Sequence, residues 1–275
     1  MRGTSEYRAT LVTHHGKGGV IAPLLQSAGW TVDVLDRDTD ALGTFSGDVE
    51  RRGSPRDVAI TKALLASGES AAPWFLASEG SLTRDPWGLA RDHELVVLVH
   101  AASRVTLVGE ALSHDVVLVG EEVNSEWSDS RLDDLCARAD LGRHHLMVVS
   151  VTHDVPARGG LARRVEVETA LREMSAPGRR LRIQSDCRAH LSASRREVIG
   201  AATRDLIRKL SSTCPSCAGV GFSPVEAVEG LRCSQCYLPT REPRAHLWAC
   251  PWCDFRRETL VEATVDPSRC PWCNP

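Results

Sequence analysis

The chain has 275 residues, 42% of them apolar and 25% charged, with 33 basic against 36 acidic side chains and a net charge of −3. This composition describes a globular protein of one or two domains and excludes collagen-like, fibrous and disordered classes. So small a net charge supplies no bulk attraction to nucleic acid or to a membrane surface. No apolar stretch approaches the roughly 18 residues of a membrane span, and the first residues lack the apolar core of a secretory signal, so a cytoplasmic setting with reduced cysteines is expected.

In chain order, Arg8 to His15 reads as an apolar extended run, Gly19 to Gly29 as a helix-length segment and Thr31 to Leu35 as a second strand, the βαβ opening of an α/β sheet. A polar loop from Asp36 to Gly53 follows. PRDVAITKALLASG reads as a helix, with Pro55 in its first turn and Gly68 past its end. Pro73 to Ala77 reads as a buried strand leading into a turn at SEGS. ELVVLVHAA, RVTLVGEALS and DVVLVGEEV follow with no room for crossover helices, so they must pair largely antiparallel and the sheet is mixed. Ser128 to Leu141 and Ala157 to Met174 read as helices around the strand HLMVVSV, and RLRIQS as another strand. Ser194 to Leu210 reads as a closing amphipathic helix with Ile199, Ala202, Leu206 and Leu210 on one face and Ser192 or Ser194 as its cap. The expected fold is an α/β domain over residues 1–212, a mixed and partly antiparallel sheet flanked by helices, followed by a small zinc-ribbon-like domain over 213–275.

Cysteine spacing defines that second domain. Eight of the ten cysteines form four CxxC pairs in the last 62 residues: Cys214/Cys217, Cys233/Cys236, Cys250/Cys253 and Cys270/Cys273. Each pair is a tight turn that presents two thiolates, and one tetrahedral zinc needs two such turns, so two structural Zn²⁺ ions are expected. The segment CSQCYLPTREPRAHLWACPWC looks like a zinc-ribbon hairpin. It favours Cys233, Cys236, Cys250 and Cys253 on one ion with the outer four on the other, a nested arrangement; sequential pairing is the rival. About 60 residues hold too little apolar material for a core of their own, so the metal supplies the folding free energy. Cys136 and Cys187 stand apart and read as core thiols.

Two motifs in the first domain suggest ligands and fail on their details. HHGKGGV places a glycine-rich turn with Lys17 between a strand and a helix, an anion-binding position. Ile21, Ala22 and Pro23 follow, which excludes a P-loop. DRDTDALG spaces Asp36, Asp38 and Asp40 like a calcium loop, but Ala41 and Gly47 occupy its sixth and twelfth positions. Composition adds weight to Lys17 and Lys62, because only three of the 33 basic residues are lysine.

VTHHGK, ERRGSPRDVAITKA and FLASEGSL together resemble the inosine triphosphate pyrophosphatase and Maf superfamily over about residues 8 to 110. That resemblance implies a nucleotide substrate, phosphoanhydride hydrolysis and Mg²⁺. It would put Lys17 on the triphosphate, Glu50 near the metal or attacking water, Lys62 on phosphate and Glu79 on magnesium, with Thr13, His15 and Ser81 as further cofactor contacts. The first turn is one residue shorter than the superfamily pattern and has histidine for asparagine. GTFSGDVERRGS, SEGS, SDCRAHLSASRREVI and the CxxC pairs also resemble a bacterial family of unknown function over nearly the whole chain.

SDCRAH adds a separate candidate. In an extended chain Asp186, Arg188 and His190 share one side at a strand end, where α/β proteins build sites. Two readings follow for the whole protein: a magnesium-dependent hydrolase of nucleotides or related phosphorylated small molecules, or a non-enzymatic binding protein that uses its zinc module as an adaptor. Eight zinc-bound thiolates offset by two Zn²⁺ would carry the net charge to about −7. The tail alone, with six arginines against seven acids, is then acidic, which argues against a nucleic-acid partner.

Overall fold

The computed structural model describes residues 7–14, 16–39, 53–123 and 127–275, so the candidates His15 and Glu50 lie outside the described residues. The chain divides into two compact units, one of Met1–Arg104 with Val108–Asp205 and one of Val105–Leu107 with Leu206–Pro275.

The first unit opens with β1 (Arg8–Thr13), α1 (Gly18–Ser27), β2 (Thr31–Asp36), α2 (Pro55–Leu64) and β3 (Trp74–Arg84), followed by β4 (Ala90–His100) and β5 (Thr106–Ser113). These strands form a five-stranded sheet in the order β2-β1-β3-β4-β5. β1 runs parallel to both β2 and β3, and β4 returns antiparallel to β3. The α1 crossover therefore leads to one side of β1 and the α2 crossover to the other. That divergence makes the carboxyl edge of β1 a topological switch point, where α/β proteins place ligands.

β3 is longer than its sequence suggests. SEGS is not a turn; Ser78 to Ser81 continue the strand, each paired with β4, to Arg84. The reason is the unbroken alternation ASEGSLTR, which gives Glu79 and Ser81 to one face and Ser78 and Gly80 to the other. The Glu79 face packs on α2: Val12, Ala59, Ala63, Phe75, Ala77, Leu95 and Val97 form one buried cluster. α1 lies on the opposite face with the start of α5 (Ala193–Leu210), where a Cβ on Gly200 would stand 3.7 Å from Val20.

A second, four-stranded antiparallel sheet in the same unit has the order β6-β9-β7-β8, from β6 (Gly120–Val123), β7 (Leu146–Ser150), β8 (Arg158–Leu161) and β9 (Leu181–Ser185). DVVLVGEEV thus leaves the first sheet for the second. The segment read as one helix from Ala157 divides into β8 and α4 (Arg164–Met174). α4 and α3 (Asp129–Arg138) cover this sheet through Leu132, Leu135, Val167 and Ala170, packed on Leu146, Val148 and Ile183. In α5, Ile199, Ala202, Leu206 and Leu210 are all buried, as the helical periodicity requires. Its start is capped by a histidine: Ser194 N donates to His144 Nε2 at 3.1 Å.

The second unit is built on a three-stranded antiparallel meander, β10 (Ser223–Glu229), β11 (Pro243–Ala249) and β12 (Arg256–Leu260). A CxxC turn stands before each strand and another follows β12. No helix among the described residues is long and apolar enough to cross a membrane.

Candidate functional site

The carboxyl edge of β1 gathers buried charged residues of the first unit. Thr13 ends the strand, 7% exposed, and its hydroxyl donates to the His14 carbonyl at 3.2 Å. Gly16 then takes φ +74, and a Cβ there would stand 2.9 Å from the His190 Cβ, so only glycine lets the turn lie against the segment that carries His190. Lys17 follows at the N-cap of α1.

Lys17 and Lys62 each meet a buried acid. Lys17 Nζ lies 3.5 Å from Glu94 Oε2, with side-chain exposures of 12% and 0%. Lys62 Nζ donates to Glu79 Oε2 at 2.5 Å, again almost out of solvent. The two pairs stand on opposite faces of the β3–β4 hairpin at the same end, with Glu79 on the α2 face and Glu94 on the α1 face opposite Gly80. Any Cβ at Gly80 would overlap the Glu94 carboxylate. Burial holds Lys17 below the usual lysine range, opposed by Glu94 and Glu79 and reinforced by Arg195 and Lys62. Ser81 lies two residues beyond Glu79 on the same face, opposite His93.

Three members of this cluster carry no motif: Asp92, Glu94 and Arg195. Arg195, 1% exposed in the first turn of α5, forms an ion pair with Glu94 Oε1, lies 3.6 Å from Asp92 Oδ2 and donates to the Cys187 carbonyl. Burial, then the like charge of Glu94, raises Asp92 to about 7. Glu94 is held below the carboxylate range; its burial acts the other way and is outweighed by Arg195 and Lys17. The sequence does contain a signal: RDHELVVLVH puts Asp92 and Glu94 at alternate positions just before a fully apolar run, where charge has no solvent to face.

The Asp186–His190 segment is not extended. β9 ends at Ser185, and residues 189–191 form a 3-10 turn. Asp186 is buried and accepts from Gly160 N at 2.8 Å and from Arg188 Nη2 at 2.5 Å, while His190 is exposed. Asp186 and Arg188 thus satisfy one another across the turn, and the common side expected of alternating strand residues is lost because the strand has already ended. Of the three, only His190 comes near the Lys17 turn, through its Cβ against Gly16. Burial pushes Cys136 up, and Cys187 to about 11, leaving both as thiols. A cleft of about 490 Å³ opens on the four-stranded sheet between His153, Asp154, Arg182 and Gln184. Its acid is already engaged, since Asp154 accepts from Ser150, Thr152 and Arg179.

In the second unit the eight cysteines converge as two groups, Cys214, Cys217, Cys250 and Cys253, and Cys233, Cys236, Cys270 and Cys273, each with its sulfurs within 4.8 Å of one another. The pairing is interleaved, neither nested nor sequential. The meander dictates it: in antiparallel strands the start of β10 and the end of β11 share one end of the sheet, as Ser223 opposite Ala249 shows, while the end of β10 and the start of β11 share the other. The first and third turns therefore meet, and the second meets the fourth.

Both groups have the geometry of a metal centre. Sulfur separations are 3.8 Å for Cys214–Cys253, 3.6 Å for Cys217–Cys250, 3.8 Å for Cys233–Cys273 and 3.7 Å for Cys236–Cys270. Four sulfurs around a tetrahedral ion with bonds of about 2.3 Å stand about 3.8 Å apart, whereas a disulfide would need about 2.05 Å. Backbone N–H groups of Ser216, Gln235 and Trp252 point at Cys214, Cys233 and Cys250 at 3.3–3.4 Å, the donors that stabilise thiolate.

The two centres repeat one design. Trp252 Nε1 donates to the Val220 carbonyl at 2.7 Å, and Trp272 Nε1 donates to the Pro239 carbonyl at 3.0 Å. Each tryptophan sits two residues into a CPWC turn, and each carbonyl lies three residues past the partner turn. Ala218 and Tyr237, one past those partner turns, take φ 58 and φ 60. Their surroundings differ. Phe222, Trp248, Trp252 and Phe255 pack around the first centre, whereas Tyr237, Leu238 and Trp272 at the second are 66%, 46% and 62% exposed.

Residues 62–275 match the family described as Domain of unknown function (DUF6671). No curated protein matches the sequence.

Proposed function

The chain belongs to that family of unknown function, whose description carries no activity, so its role has to be read from its own residues, and we propose that it is a hydrolase of phosphoanhydride bonds in nucleotides, with two structural zinc ions in its second unit. One observation carries the reading: two of the chain's three lysines are buried against carboxylates, Lys17–Glu94 and Lys62–Glu79, at the switch point of the parallel strands. Burying an ammonium is expensive, and two at one strand edge is an arrangement suited to an anion rather than to stability. Phosphoryl transfer needs little else from a protein than cations on the developing charge and carboxylates to place water or metal.

In this reading Lys17 and Lys62 bind the phosphate oxygens and exclude water from them. Magnesium is ordinarily held by one or two carboxylates and completed by substrate oxygens, so Glu79 meets the minimum as its protein ligand. Lys62 stands beside that carboxylate. The all-thiolate donor sets support zinc in a structural role, since they fill every tetrahedral position and leave no open place for water.

The test is incubation of purified protein with magnesium and a panel of canonical and deaminated nucleoside triphosphates. Release of pyrophosphate or phosphate is expected, reduced on the order of a hundredfold or more by Lys17→Ala with Glu79→Ala. No release beyond that of the double variant removes the enzymatic reading. The exposed Tyr237, Leu238 and Trp272 favour a second reading, a non-enzymatic adaptor that binds a protein through its second metal centre. A stable partner that requires the tail, with no turnover of any nucleotide, would support it.

A further inference from the structure

The α1 face of the β3–β4 hairpin is short of hydrogen-bond partners. Asp92 Oδ1 and Oδ2, Glu94 Oε2 and Ser78 Oγ are all buried without a close hydrogen bond; the nearest charges stand farther off, Arg195 Nε 3.6 Å from Asp92 Oδ2 and Lys17 Nζ 3.5 Å from Glu94 Oε2. The register places them on one face, since Ser78, Gly80 and Leu82 stand opposite Val96, Glu94 and Asp92. Burying a series of charges costs about as much as their pairing returns, so stability alone is a weak reason for this arrangement. The charges form a connected series from α5 to the strand edge: Asp92, Arg195, Glu94, Lys17. Arg195 also holds the Cys187 carbonyl, whose segment carries His190 against Gly16 in the Lys17 turn. One guanidinium thereby fixes the acid beside Lys17 and the loop that abuts the lysine's own turn.

We propose that Arg195, Glu94 and Asp92 are positioning residues of the Lys17 site: Arg195 locks the Glu94 carboxylate beside Lys17, Asp92 offsets the charge of the guanidinium, and Glu94 so held sustains and aims the buried ammonium, none of the three touching a ligand. The purpose assigned to that ammonium rests on the phosphoanhydride reading; the charge-setting itself does not. The groups facing Lys17 are Glu94 from β4, Arg195 from α5, Glu79 from β3 and Lys62 from α2, with His190 beside its turn. Burial and two cations work against its charge, and the acids sustain it. Asp92, titrating close to neutrality, is ionised above it and adds its support there.

The chain's three lysines make this measurable. Competitive acylation of the full-length protein with isotopically labelled acetic anhydride, across the neutral to alkaline range, reports by peptide mass spectrometry the pH at which each amine loses its proton, with Lys209 as internal reference. Glu94→Gln is expected to move the Lys17 midpoint down by about one pH unit or more, and Asp92→Asn to move it the same way by less, with Lys209 unmoved. Glu94→Asp, which keeps the charge, should restore part of the shift. If the Lys17 profile of folded Glu94→Gln superimposes on that of the wild type, the proposal is wrong; should that variant not fold, an unmoved profile in the isosteric Asp92→Asn overturns it equally. Inorganic pyrophosphate added to the wild type separates the two readings. Shifts in the variants without protection of Lys17 by pyrophosphate would retain the charge-setting role and discard the phosphate ligand.

Discussion

At the scale of single residues, glycines show where the site is tightest. Gly80 faces the Glu94 carboxylate with no room for a methyl group, so Gly80→Ala must displace the acid that sustains Lys17. A loss of about 1–3 kcal/mol is expected, as for other overpacked buried positions, and denaturant unfolding measures it. Gly219 has the same relation to the indole of Trp252, whose Cδ1 a Cβ would meet at 2.5 Å. Gly219→Ala should break the Trp252–Val220 hydrogen bond and hasten metal release from the first centre to a chelator, leaving the second centre, where Leu238 holds the equivalent position, unchanged. His144 supplies a pH-dependent contact. Its Nε2 accepts from Ser194 N, so Nδ1 carries the proton and points toward Asp140, 3.9 Å away. Burial holds this imidazole below its ordinary value, opposed by Asp140. A base depressed in the folded state contributes stability that is present above its unfolded pKa of about 6.5 and is lost as pH falls through that value toward the folded one. Thermal melts should therefore show a decline in stability below about pH 6.5 that is shallower in His144→Gln, whose side chain can accept the same bond without titrating.

At the scale of elements, local chemistry explains most of what the chain displays. Ser54 caps α2 by accepting from Asp57 N at 3.2 Å, and Pro55 sits in the first turn, so the helix that delivers Lys62 begins where SPRD requires. Ser54→Ala is expected to cost about 1 kcal/mol in unfolding free energy and, by fraying α2, to weaken any anion binding that depends on Lys62. β1, α1, β2, α2 and α5 follow their periodicities closely. The departures have a common origin. SEGS has turn composition yet continues β3, because β4 offers it a full ladder of partners; β6 has the pattern of its neighbours yet joins another sheet; β8 is cut from what reads as one helix. In each case the local signal was satisfied by more than one arrangement, and a partner distant in sequence chose between them.

At the scale of the whole molecule, the two metal centres make a prediction that the interleaved pairing alone satisfies. Cys214→Ser with Cys253→Ser should lose one ion per chain by metal analysis, whereas Cys214→Ser with Cys233→Ser should lose both; nested pairing would require Cys214 to share its ion with Cys270 and Cys273. Chelation of the wild type should unfold the β10–β12 unit, which has only the small cluster of Phe222, Trp248, Trp252 and Phe255 as a core, while the helical signal of the first unit persists. The sequence by itself determined that the last 62 residues carry eight cysteines in four turns able to hold metal, because thiolate spacing in a tight turn is a local property. It determined the βαβ opening, because strand and helix periods are local as well, and it marked Lys17 and Lys62 by the scarcity of lysine in the chain. Only the tertiary structure decided which turns share an ion, since that depends on which ends of a meander coincide. It alone brought Asp92, Glu94 and Arg195 behind Lys17, because no spacing along the chain records that a helix starting at Ala193 packs its first turn against a strand about a hundred residues earlier.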